Sequence, residues 1–120
     1  MSGSADLRAW QPRPPRHLVV QDSILAGRHT LTLSGELDLA SAPELEDMIE
    51  RACQESTHAI TLDLSALSFI DSCGLRSILT ARKLCEQRAQ GFALVPGQPQ
   101  VQRVFELTGL ADVLPFAAAA

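Results

Sequence analysis

Apolar positions recur along this chain in two spacings, and the change from one to the other marks its elements. Between Arg28 and Ser34, Leu31 and Leu33 alternate with Thr30, Thr32 and Ser34, the two-residue period of a strand with one wetted face. A shorter run from His17 to Gln21 precedes it, and Ala26-Gly27 between the two suits a hairpin turn. Gly35-Glu36-Leu37-Asp38 is expected to end the second strand. Leu45, Met48, Ile49 and Ala52 then fall at i, i+3, i+4 and i+7, one buried stripe of a helix. Its start has two readings: Ser41 with Glu44 fits a capping box, while Pro43 suits the first helical position if Ala42 is the cap.

Ala59–Leu64 predicts a third strand, followed by a loop of small polar residues and a helix from Asp71-Ser72 to about Arg88, stopped by Gln90-Gly91. Leu75, Ile78, Leu79, Cys85 and Ala89 share a face of that helix. Arg82 projects into the same face, and its stem is expected to pack while its head reaches the helix edge. Phe92–Val95 predicts a fourth strand and Pro99–Leu107 a helix with Val101, Val104 and Phe105 inward and Gly109 just past its end. Leu110–Phe116 either adds a short strand or closes the core. The predicted fold is α/β, one domain with a mixed four- to five-stranded sheet and helices packed on it, in the order β-β-α-β-α-β-α with an optional last β. Right-handed crossovers make the sheet largely parallel with an antiparallel edge.

At the start of the second helix two residues compete to cap. With Asp71 as N-cap, its carboxylate accepts first-turn amides, and Ile70 and Leu75 take the N′ and N4 positions of a hydrophobic staple. With Ser72 as cap, those positions fall to Asp71 and Arg76, which cannot form an apolar pair. Asp71 is therefore the expected cap. Ser72 is left in the first turn with a hydroxyl not used for capping, followed by Cys73 and Gly74, whose small bulk lets a partner approach.

The 120 residues are 46% hydrophobic, enough for one domain with a sizeable core. Residues 1–16 hold Pro12, Pro14, Pro15 and three arginines without periodicity and are expected to be a disordered tail, in which Trp10 either docks on the domain or is incidental. Residues 17–116 form the domain and 117–120 a frayed end. The net charge of -4 argues against direct binding of nucleic acid, which favours a basic face. No run reaches the roughly 18 apolar residues of a membrane span, so the expected location is cytoplasmic with no membrane partner. Cys53, Cys73 and Cys85 lack metal-ligand spacing and are expected to be free thiols; Cys73 and Cys85, about 18 Å apart along one helix, cannot bridge each other. Cys73 at a helix start is a less favoured candidate redox sensor.

A serine nucleophile needs a base within hydrogen-bond reach, and the histidines are His17, His29 and His58. His58 precedes the third strand, roughly 17 Å from the strand end that leads to Ser72. No enzyme is expected, and no glycine-rich phosphate cradle or cofactor site is present. Glu36 and Asp38 are carboxylates able to hold a metal, but two acids at a strand end read better as a solvated turn. The remaining chemistry is Ser72 as acceptor of a phosphoryl group. A helix N-terminus tolerates negative charge, and Arg76 at i+4 has the spacing to pair with it. Against this stands the plain reading of Ser72 as a good first-turn residue.

Three segments tip that balance. Gly35-Glu36-Leu37-Asp38, the run Leu62-Asp63-Leu64-Ser65 with Phe69-Ile70-Asp71-Ser72-Cys73-Gly74-Leu75, and Val104–Leu110 resemble, in order, signatures of the STAS domain family, in particular bacterial anti-sigma factor antagonists of the SpoIIAA type. The resemblance covers residues 17 to 116. It implies phosphorylation at Ser72 by a partner that is both anti-sigma factor and serine kinase, release of that partner on phosphorylation, and resetting by a PP2C-type phosphatase. It also implies a partner surface of Asp71, Ser72, Cys73, Gly74 and Arg76 with Glu36 and Asp38. Cys73 stands where another serine is common and Arg76 where a small residue is frequent. The alternative within the family is a scaffold subunit in a stressosome or lipid-transport complex.

Overall fold

A hairpin opens the sheet in the computed structural model, which describes residues 17–117; the expected tail with Trp10, and Ala118–Ala120, lie outside the described residues. Strand β1 (Val19–Leu25) and strand β2 (Arg28–Leu37) run antiparallel about Ala26-Gly27, from Leu25 opposite Arg28 to Val19 opposite Ser34. Helix α1 (Ala42–Ala52) crosses to β3 (Ala59–Ile70), helix α2 (Ser72–Gln87) crosses to β4 (Gly91–Val95), and helix α3 (Pro99–Leu107) follows. The sheet order is β1-β2-β3-β4 with β2, β3 and β4 mutually parallel. This is the α/β architecture the hydrophobic pattern predicts, with its antiparallel edge. The fifth strand is reduced to one bridge, Leu94 to Phe116, and Leu114 closes the core beside it.

The edge strand begins and ends later than expected because it is largely exposed, so apolar content does not delimit it. The larger departures are in the centre. Gly35 does not end β2, which runs on to Leu37, and the expected loop after Leu64 is strand as far as Ile70. Between Arg28↔Ala59 and Leu37↔Ile70 the register shifts twice, so β3 spends two more residues than β2. Each bulge inserts one residue. The inward sequence Ile60, Leu62, Leu64 therefore continues as Leu67 and Ile70, three apart, all 4% exposed or less. A spacing of three is not a strand period, which is why the segment reads as loop. Gly35, at one shift, has φ +89, and its carbonyl accepts from Ser68 Oγ at 2.9 Å.

On α2 the inward residues are Gly74, Leu75, Ser77, Ile78, Ala81 and Cys85, whereas Leu79 is exposed and Ala89 lies past the helix end with φ +53. Ser77 is tolerated inside because its hydroxyl donates to Gly74 O at 2.8 Å. Arg82 does reach the edge, where it pairs with Glu86 at 3.0 Å. Helix α3 buries Val101 and Phe105 and ends at Gly109, with Leu110 N returning to Phe105 O at 2.8 Å. All three cysteines are free thiols. Among the described residues no helix is long and apolar enough to cross a membrane.

Candidate functional site

The parallel end of the sheet is where β2 and β3 stop and hand the chain to two helices. Leu37 and Ile70 are paired and buried, and Asp71 N donates to Leu37 O at 3.2 Å, so both strands release their chains at the same level. Asp71 is extended (φ -115, ψ -173) and caps α2 as expected: Cys73 N and Gly74 N donate to its Oδ1 at 2.9 and 3.0 Å. Ile70 and Leu75, the expected staple, both belong to the core. The second oxygen of the same carboxylate reaches beyond the helix it caps. Asp71 Oδ2 accepts from Leu39 N at 3.2 Å, tying the β3–α2 junction to the β2–α1 turn.

That turn is braced by Asp38 and not by the capping box. Asp38 Oδ1 accepts from Ala40 N at 3.0 Å and Ser41 N at 3.1 Å. Ser41 is the N-cap by position, yet its side chain makes no cap hydrogen bond; the hydroxyl donates to Glu36 O at 2.8 Å and accepts from Asp38 N at 3.0 Å. Pro43 follows Ala42 inside the first turn, so the reading with Ala42 as cap is also excluded. The Glu36–Asp38 signature thus builds a turn, and no group of three or more His, Cys, Asp or Glu residues suited to a metal lies among the described residues. Glu36 pairs across the sheet with Phe69.

The residues expected to meet a partner are gathered here, at different depths. Ser72 and Arg76 are exposed, Asp71, Cys73, Glu36 and Asp38 are half-buried, and Gly74 is buried. Gly74 faces inward: a Cβ there would lie 2.6 Å from Leu37 O. Its smallness serves the approach of helix to strand. Two apolar residues flank the site that sequence reasoning did not select, Leu39 at 72% and Phe69 at 46% exposure. Phe69 was hidden because the bulged end of β3 has no readable face. Leu39 had a signal, an apolar residue in a turn that has no core position for it.

The electrostatics of Ser72 differ from those of an open helix N-terminus. Asp71 already occupies the amides of Cys73 and Gly74, and Leu75 N bonds Asp71 O at 3.0 Å. A negative group placed on Ser72 would find few free first-turn amides and a carboxylate beside it, with exposed Arg76 one turn on. The histidines are engaged elsewhere, His29 with Asp22 at 2.9 Å and His17 with Glu44 at 3.2 Å. His58 borders the opposite end, where His58 N donates to Gly27 O.

The importance of Asp71 is measurable. Asp71→Ala frees three amides and is expected to cost about 1–2 kcal/mol, read as a lower midpoint in urea, with exchange protection lost at both Leu39 and Gly74. Loss confined to the α2 turn would contradict the bridging role.

The sequence profile of the STAS domain family matches residues 17–119. An anti-sigma-B factor antagonist of Staphylococcus epidermidis is 30% identical over 86 residues, covering 72% of this chain and 80% of that protein. The crystal structure of an anti-sigma factor antagonist from Mycobacterium paratuberculosis superposes with a TM-score of 0.78 at 29% identity, covering 88% of this chain and 90% of that one. The Bacillus cell fate determinant SpoIIAA in its phosphorylated form superposes with a TM-score of 0.65 at 25% identity, covering 83% and 92%.

Proposed function

The chain belongs to the STAS domain family, and from that premise we propose that it is an anti-sigma factor antagonist switched by phosphorylation of Ser72. In this reading the unphosphorylated chain binds an anti-sigma factor that is also a serine kinase, and a sigma factor is thereby freed. Phosphorylation at Ser72 ends the binding, and a PP2C-type phosphatase restores it. The observation that carries the reading is the exposed first-turn hydroxyl of Ser72, set on a junction that Asp71 holds rigid and flanked by two exposed apolar side chains. Likeness to an antagonist solved in a phosphorylated form supports the same view.

The surface has the composition of a docking site. Leu39 and Phe69 supply apolar area, Glu36 and Asp38 a polar border, and Ser72 with Arg76 the groups that sense charge. Binding needs no large rearrangement, since the turn and the cap are already hydrogen-bonded. A charge added at Ser72 is brought against whatever desolvates Leu39 and Phe69.

The test is displacement. Added to a complex of its anti-sigma factor and sigma factor, the chain is expected to release the sigma factor in proportion to its concentration. Leu39→Ser is expected to weaken this roughly tenfold while leaving the thermal midpoint unchanged. An unchanged complex at saturating chain would overturn the reading, and full activity of Leu39→Ser would remove the apolar flank from it.

A further inference from the structure

The chain enters the domain at the same end as Ser72. Leu18 is buried, and Val19 pairs with Ser34, three residues before β2 ends at Leu37. His17 Nε2 lies 3.2 Å from Glu44 Oε2 in the first turn of α1, which pins the start of the domain beside the β2–α1 turn that carries Leu39. Leu39 and Phe69 are the exposed apolar residues of this end. Glu36, the cross-strand neighbour of Phe69, has no ion-pair partner among the described residues, and the carboxylates of Asp38 and Asp71 brace the turn beside it. The patch is apolar with an acidic border.

Residues 1–16 have the complementary composition. They hold Trp10, the one tryptophan of the chain. They also hold three of its ten basic residues, Arg8, Arg13 and Arg16, and one of its fourteen acidic residues, Asp6, which leaves seven basic against thirteen acidic residues in the rest.

We propose that residues 8–16 fold back on this end of the molecule, with the Trp10 indole against Leu39 and Phe69 and the arginines against Glu36 and Asp38. Seven residues separate Trp10 from His17, a reach of up to about 24 Å, ample for a patch that begins beside the His17–Glu44 pair. Tethering holds such a segment at an effective concentration in the millimolar range, so a contact too weak to persist between separate molecules persists within one. Pro12, Pro14 and Pro15 restrict the backbone of the link and lower the entropy lost on docking. An indole covers a large apolar area with few rotatable bonds, and the opposite charges on segment and border set its direction. The consequence for regulation rests on the function proposed above: the docked segment competes with the anti-sigma factor for Leu39 and Phe69.

The test reads Trp10 in the full chain, which has no tyrosine and no second tryptophan. Its emission is expected to lie to the blue of that of a synthetic peptide of residues 1–16, with acrylamide quenching at least about threefold weaker and unchanged on hundredfold dilution. Leu39→Ser combined with Phe69→Ser, both at exposed positions, is expected to return quenching to the peptide level. Arg13→Glu combined with Arg16→Glu, which leaves residues 17–120 unaltered, is expected to do the same. Peptide-like quenching in the wild-type chain, shielding that survives both pairs of substitutions, or shielding lost on dilution, as for docking onto a second copy, would overturn the proposal. Trp10→Ser is expected to free the sigma factor at about threefold lower concentration than the wild-type chain, because the surface no longer spends most of its time covered. Shielded Trp10 with equal displacement by both chains would overturn the competition, whereas shielded Trp10 with no displacement by either would overturn the antagonist reading and uphold the docking.

Discussion

Gly74→Ala is expected to lower the thermal midpoint by roughly 10 °C, although alanine is the better helix former. On an open helix the exchange would gain up to about 1 kcal/mol. Here the added methyl would lie 2.6 Å from Leu37 O and 2.9 Å from Ile70 Cγ1 and Leu37 Cγ. The nearest of these is backbone. Leu37 cannot retreat cheaply, because it is paired with Ile70 and its carbonyl receives Asp71 N. Overpacking of this kind costs about 1–3 kcal/mol, and the larger side chain of Gly74→Val takes the cost to the upper end or beyond. The strain outweighs the propensity gain, and at about 4–8 °C per kcal/mol for a domain of this size the shift is easily read by circular dichroism. A midpoint equal to or above that of the wild type would mean that helix α2 does not press on β2 in this way.

Ser72 variants are expected to separate binding from folding. Ser72→Ala should bind the anti-sigma factor as tightly as the unmodified chain, with or without ATP. Ser72→Asp should bind at least about tenfold more weakly, since like or unpaired charge at a desolvating contact costs several kcal/mol when fully buried and less at a rim. Phosphate carries about -1.5 to -2 against -1 for Asp, so the phosphorylated chain is expected to bind more weakly still. Neither variant should unfold. A carboxylate in a first turn is favoured by the helix dipole, although Asp71 beside it reduces that gain. Equal thermal midpoints with unequal affinities are the predicted signature, checked by calorimetry on purified proteins. Equal affinities would remove the charge switch from Ser72.

What could be read from the chain depended on the period of its side chains. The helices announced themselves through Leu45, Met48, Ile49 and Ala52 and through Val101 and Phe105, and the cap at Asp71 followed from the staple that Ile70 and Leu75 permit. The last six residues of β3 were not legible, because its two bulges replace an alternating pattern with Leu64, Leu67 and Ile70 three apart. For the same reason Phe69 had no face and could not be selected. Ser41 was misread because local spacing favours the capping box, while the folded turn offers its hydroxyl the nearer partners Glu36 O and Asp38 N. Gly74 was placed correctly but given the wrong neighbour, since its contact with Leu37 spans 37 positions of sequence. Long-range pairs of this sort, Asp71 with Leu39 among them, leave no periodic trace.

Incubation of the full chain with ATP and an anti-sigma factor of the serine kinase class, followed by mass mapping of the peptides, should place a single phosphate on Ser72 and none on Ser72→Ala. Phosphate on another residue with Ser72 bare, or equal phosphorylation of Ser72→Ala, would mean that Ser72 is not the switch.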